Sequence, residues 1–188
     1  MTGAGPVGAR RVVSREQVVR GACRFFVRHG SVDMAALAAG LAVSRATLYR
    51  VAHSRDGLLA DALWTLGGRV LERARRRCAD GGAAGGVDGV LRVTREFVAQ
   101  VNSAAPFRRF LCREPGTAAR VLLHDVHRRA VAAQRDILRS VKPWPPGELD
   151  QAAYLYVRLV ESVLYAELLG GAPVDLHLAE RAARSLLA

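Results

Sequence analysis

The stretch LAAGLAVSRATLYRVAHSRDGLL, residues 37–59, sets two short apolar segments around a few small residues. Ser44 stands where a helix would start, because its hydroxyl can take up an amide N–H that the first turn leaves unpaired. Ser54 repeats the device ten positions later, ahead of Arg55-Asp56 and a fresh apolar run. Two short helices, a tight turn between them and a longer helix behind are the expectation.

The same reasoning extends in both directions. Ser14-Arg15-Glu16-Gln17 has the form of a capping box and opens a first helix, with Val18, Val19, Ala22, Phe25 and Phe26 at helical spacing and Gly30 at its end. A short second helix over 33–39 turns Met34, Leu37 and Ala38 inward, and Gly40 to Val43 make the turn. A third runs from Ser44 to about Val51. A fourth begins at Ser54, buries Leu58, Leu59, Ala62, Leu63, Leu66 and Val70, and ends in the arginines of 73–77. The run Gly81-Gly82-Ala83-Ala84-Gly85-Gly86 has nothing to pack and reads as a break. Helical patterns resume at 88–103, 107–113, 118–140, 148–169 and 174–187, and Val141 to Gly147, with three prolines, forms a rigid connector. No strand pattern and no internal repeat emerge. The reading is an all-α chain of about nine helices: a basic arm over 1–13, a head over 14–52, a connecting helix over 53–79 and a C-terminal domain over 80–188.

Composition sets the bounds. At 188 residues and 51% hydrophobic the chain can bury a sizeable core. No uncharged apolar run of about 18 residues exists, and the N-terminus lacks a signal segment, so a cytoplasmic protein with no membrane partner is expected. Cys23, Cys78 and Cys112 are odd in number and widely spaced, which favours buried free thiols over disulfides or a metal knuckle. The formal charge is +11, and residues 1–80 hold 14 basic against 6 acidic residues, whereas 81–188 hold 14 against 11. Arginine bias inflates the total, since Lys142 is the one lysine, but it does not explain the asymmetry. The first 80 residues are therefore suited to a polyanion.

Two short helices, a tight turn and a serine-capped second helix make a helix-turn-helix, whose second helix enters the major groove of double-stranded DNA. Ser44, Thr47, Tyr49 and Arg55 then form a phosphate-holding frame, with Arg45, Ala46 and Arg50 at the edge that reads bases. Leu48 points inward.

The segment VSRATLYRVAHSRDGLL resembles the TetR family of transcriptional repressors, whose pattern is V-S-x-x-T-L-Y-x-x-F-x-S-K-x-x-L. Ser44, Thr47, Leu48, Tyr49, Ser54 and Leu58 match it; Arg55 and Asp56 are conservative variants. The resemblance implies an Ω-shaped homodimer joined by the last two helices, and a pocket in the C-terminal domain coupled to the spacing of two DNA-reading heads. Three departures stand out. Ala42 replaces the usual turn glycine, and Val51-Ala52 replace an aromatic pair of which the first often touches phosphate. Fewer backbone contacts than usual are expected, and a helical small-molecule-binding protein with a vestigial head is the alternative.

In the C-terminal half, Tyr154, Arg158, Glu161 and Tyr165 share one face of a helix that is otherwise apolar nearly all round. Two roles are open for this stripe: an internal ion pair that orients the core or dimer, or a wall of a ligand pocket. Phe97, Phe110 and His124 join the ligand candidates, with Phe107 and Trp144 behind them; each aromatic is also a natural core residue. FRRFLCREPGTAARVLL (107–123), RLVESVLYAELLGG (158–171) and SRDGLLADALW (54–64) are similar to a TetR subgroup associated with quorum-signal degradation, which implies a lactone or related acyl effector. His124 and His127 form H-x-x-H without a third ligand or acidic base, so a metal is not expected. No nucleophile motif or phosphate loop points to an enzyme, and nothing calls for a cofactor.

Overall fold

The computed structural model describes residues 13–79 and 85–188. Residues 1–12 of the expected arm over 1–13, and 81–84 of the glycine run over 81–86, lie outside the described residues. Among the described residues the elements are α1 (Arg15–His29), α2 (Met34–Gly40), α3 (Arg45–Ala52), α4 (Arg55–Ala79), α5 (Gly86–Ser103), α6 (Ala105–Arg113), α7 (Pro115–Arg120), α8 (His127–Arg139), α9 (Glu148–Tyr165) and α10 (Leu176–Leu187). A π-helical turn, Val121–Val126, joins α7 to α8 without a break, so the described residues form nine helical rods and no strand is present among them. A 3₁₀ turn, Ala166–Leu169, extends α9.

The helix starts follow from their capping residues. Ser14 Oγ accepts from the Gln17 amide at 3.2 Å while Gln17 Oε1 accepts from the Ser14 amide at 2.9 Å, which completes the capping box. Asp33 accepts from the Ala35 and Ala36 amides, both at 2.8 Å. Ser44 and Ser54 accept from the amides of Thr47 and Gly57 at 3.1 and 3.0 Å. Gly30 ends α1 at φ +72, and a Cβ there would come within 2.8 Å of the Pro106 carbonyl oxygen. The glycine is required twice, by its own backbone and by the approach of α6.

Two cores result, and they do not divide at the glycine run. The first takes Val18, Ala22, Phe26, Leu37, Leu48, Leu58 and Leu59 from the head and adds Phe110, Ala118, Val121 and Leu122 from α6 through the π turn, together with Tyr165. Phe26 and Phe110 meet edge to face with centroids 5.6 Å apart. The second core lies among α5, α8, α9 and α10, around Leu91, Leu138, Ala152, Tyr156, Ala183 and Leu187. Of the three free cysteines Cys23 alone is fully buried; Cys78 is half-buried and Cys112 exposed, against the expectation for all three. No described helix is long and apolar enough to cross a membrane.

Phe110 is wholly buried at the junction of head and bundle. Phe110→Ala is expected to cost about 3–5 kcal/mol, read from a urea melt followed in both halves, and the two halves should lose stability together. A second expectation concerns alkaline pH. Burial pushes the Tyr156 phenol from 10.0 up to about 12, and burial with the Glu161 charge raises Tyr165 well above its ordinary value. Between pH 10 and 12 the unfolded chain releases these protons and the folded chain does not. Stability therefore falls as pH rises through that window, by about 1.4 kcal/mol per pH unit for each tyrosine. Urea midpoints across pH 9–12 should show the fall, and Tyr156→Phe should make it shallower.

Candidate nucleic-acid interface and ligand domain

The residues expected to read bases lie on α3. Arg45, Ala46, Tyr49 and Arg50 are exposed, Tyr49 to 41%, and neither guanidinium has a hydrogen-bonded partner among the described residues. Leu48, one position away, is fully buried and fixes which side of α3 faces out. Ser44 and Thr47 are committed to each other: besides capping the helix, the two hydroxyls lie 2.9 Å apart and share a hydrogen. One hydroxyl donates within the pair, and the hydrogen of the other remains to be donated to a phosphate oxygen.

Arg55 is placed elsewhere than the sequence reading put it. Its Nε donates to the Val32 carbonyl at 2.7 Å, and its Nη2 donates to both oxygens of Glu114 at 2.8 and 2.7 Å. The side chain is about a third exposed and closes the gap between the head and the α6–α7 corner. The guanidinium so engaged makes an interdomain contact, in place of the free phosphate-holding side chain that the sequence reading expected. Sequence spacing placed Arg55 correctly at the start of α4 but could not reveal Glu114, 59 positions away.

Val51 and Ala52, where the family pattern has aromatics, turn inward: Val51 packs against the head core and Ala52 is 2% exposed. The turn also accommodates its departure. Ala42 takes φ +54, a left-handed backbone that costs an alanine about 1 kcal/mol.

Sequence reasoning missed one basic wall. Gln17, Arg20 and Arg24 on α1 face Gly40, Leu41 and Ala42 across a polar groove of about 300 Å³. The groove opens beside the turn that leads into Ser44 and Arg45. Its signal was the spacing of Arg20 and Arg24 at i,i+4, one turn apart on an exposed face.

In the C-terminal domain the expected stripe is brought together. Glu161 is 3% exposed, and its carboxylate accepts from Arg158 Nη1 at 2.8 Å, from the Tyr165 hydroxyl at 3.0 Å and from His127 Nδ1 at 2.9 Å. Arg158 also stands over the Tyr154 ring, 5.3 Å from its centroid, and His127 meets that ring edge-on at 5.5 Å. His127, noted in the sequence only as half of H-x-x-H, is thus a buried member of the network, whereas His124 is exposed on the π turn. The carboxylate is satisfied from three sides without a ligand.

The aromatic candidates are dispersed. Phe110 is core at the junction, Phe107 packs on Tyr165 at 6.4 Å, and Trp144 donates to the Leu138 carbonyl at 2.8 Å in the second core. Phe97 is half-buried on α5. The cleft of the bundle lies between α5, α9 and α10, lined by Leu91, Val98, Tyr156, Val163 and Ala183 among others, and its volume is about 20 Å³. That admits about one water molecule. None of the seven proposed ligand residues lines it.

Comparison with known proteins places this architecture. The family model described as tetracyclin repressor-like, C-terminal domain, matches residues 85–188. The transcriptional repressor QsdR of R. erythropolis, from the TetR family, superposes with a TM-score of 0.77 at 25% identity, covering 92% of this chain and 93% of that one. A TetR-family transcriptional regulator from Streptomyces coelicolor gives a TM-score of 0.49 at 21% identity, over 92% of this chain and 80% of that one. No curated protein matches. The matched domain spans more than half of the 188 residues, and the chain belongs to the tetracyclin repressor-like family of transcriptional regulators.

Proposed function

We propose that the protein is a dimeric, ligand-responsive repressor that binds a palindromic DNA site through α3 and leaves it when a small, mostly apolar effector enters the C-terminal bundle. The observation that carries this reading is the exposed, unpartnered set Arg45, Ala46, Tyr49 and Arg50, held outward by buried Leu48 and flanked by the basic groove of Arg20 and Arg24. Arg45 and Arg50 read base edges; Tyr49, Ser44, Thr47 and the groove hold phosphates. Dimerisation uses α9 and α10, where Tyr154, Leu155 and Leu178 leave large apolar surface uncovered, from 45 to 51% exposed.

Effector entry into the cleft between α5, α9 and α10 requires that cleft to open, because 20 Å³ holds no acyl chain. An effector that binds the opened form better shifts the population toward it. The reading then follows α4, the helix that leads from the head into the bundle. Its displacement takes the two recognition helices out of register with major grooves one turn, about 34 Å, apart. The sequence similarity to a quorum-signal subgroup points to lactones or acyl compounds as the effector class to try.

The test is selection of duplexes from a randomised library by the wild-type protein, followed by footprinting and titration across salt. A palindrome should emerge whose affinity falls steeply with salt as counterions are released. Arg45→Ala should change base preference at one position of each half-site, while Tyr49→Phe weakens every sequence alike. Arg24→Ala should weaken all sites and reduce the salt slope by about one per protomer. Failure to protect any duplex at low salt, with the dimer intact, leaves only the alternative of a helical ligand-binding protein. Release of the selected duplex by an acyl lactone, lost in Arg158→Ala/Glu161→Ala with the dimer intact, would assign the stripe to the effector.

A further inference from the structure

A polar chain runs from the bundle to the end of the recognition helix, and none of its central bonds lies at the DNA surface. Arg129 on α8 donates to Asp61 Oδ1 on α4 at 2.8 Å. Arg15 on α1 donates to the other oxygen of Asp61 at 2.5 Å. The second terminal nitrogen of Arg15 donates to the Val51 carbonyl, in the last turn of α3, at 2.9 Å. Asp61 is 14% exposed at its side chain, so its charge is well shielded and both bonds are short. A carboxylate held by two cations in that setting resists losing either one. The cation Arg15 also sits where α3 ends in unpaired carbonyls, the favourable end of a helix for positive charge.

The π turn explains why Arg129 reaches α4. Arg120 also pairs with α4, its Nε 3.0 Å from Asp56. In an unbroken α-helix nine positions correspond to about 180°, so Arg120 and Arg129 would face opposite sides. The i→i+5 bonding of Val121–Val126 accommodates one extra residue, which brings the two arginines to within about 80° of each other on the rod. The turn thus straps α8 to α4 on the side where Asp61 lies. His127, two positions before Arg129 and about 200° round the helix, faces α9 and Glu161 instead. The segment α8 therefore joins the Glu161 network on one face to the recognition helix on the other.

We infer that Asp61 and Arg129 are positioning residues for DNA reading: through Arg15 they fix the end of α3 to α8, so that affinity for DNA depends on an ion pair made outside the head. This rests on the repressor reading above and adds to it a specific linkage between bundle and head. Neither residue touches phosphate, and the predicted signature differs from that of a DNA contact.

The experiment measures binding of the duplex selected by the wild-type dimer, with Asp61→Asn, Arg129→Gln and Arg129→Lys, across salt concentrations. Melting temperature and sedimentation are followed on the same samples. Arg129→Gln, at a side chain 40% exposed, is the variant that keeps the fold. It and Asp61→Asn should each weaken binding about three- to tenfold with the salt slope unchanged. Arg129→Lys should restore most of the loss, and the Asp61→Asn/Arg129→Gln double variant should bind no more weakly than Asp61→Asn alone. Wild-type affinity in folded, dimeric Arg129→Gln overturns the inference and leaves the repressor reading standing. A loss accompanied by a lower salt slope overturns it as well, by making Arg129 a phosphate contact. A wild-type protein that selects no duplex overturns both.

Discussion

The edge-to-face contact between Phe26 and Phe110, closed over Gly30, is the constraint on which the rest of the molecule is hung. It puts α6 against α1 so closely that no side chain fits at Gly30. Once α6 is seated there, Glu114 at its end falls beside Arg55, and the rod that follows lies along α4. The head is consequently no separate bead on a linker. Its core includes residues of α6, α7 and the π turn, and a movement of those elements must be felt by Leu58, Leu59 and the helices they support.

Over that apolar seam lies a layer of ion pairs: Arg55 with Glu114, Asp56 with Arg120, and Asp61 with Arg15 and Arg129. Exposed pairs contribute little to stability, about 0–1 kcal/mol each. Asp61 and Glu161 differ because each is nearly buried and held from more than one side. For such groups the cost of removing one partner exceeds the gain of making the pair. Their effect is therefore geometric more than energetic: they make one arrangement of α4, α8 and α9 much better satisfied than its neighbours. A regulator needs discrete arrangements of this kind, since a continuously deformable bundle would not convert ligand binding into a defined shift of α3.

The helix pattern was legible in the sequence because its signals are local. Ser14, Asp33, Ser44 and Ser54 each satisfy amides two or three positions away, and Gly30 marks its own left-handed backbone. The stripe of Tyr154, Arg158, Glu161 and Tyr165 was legible for the same reason, being set by one helix's period. What could not be read were partners distant in the chain. Arg55 finds Glu114 59 positions on, and His127 finds Glu161 34 positions on; no spacing rule relates them. The π turn was hidden as well. An extra residue within a helix leaves the apolar pattern intact on either side and changes only which side the following residues face.

On the repressor reading proposed above, the closed bundle and the exposed head belong to one mechanism. The Glu161 carboxylate is already satisfied by Arg158, Tyr165 and His127, so it has no need of an effector in this arrangement. An effector that takes one of those donors for itself leaves the carboxylate short of a hydrogen bond in the interior. This costs about 1–3 kcal/mol unless the surrounding helices move. The helix bearing His127 is α8, and α8 is also the helix that holds Asp61 through Arg129. The least costly response is therefore a shift or rotation of α8, where the π turn has already loosened the α-helical register. On that proposal, disturbance of a buried carboxylate in the bundle and release of the end of α3 would be two consequences of one helix changing place.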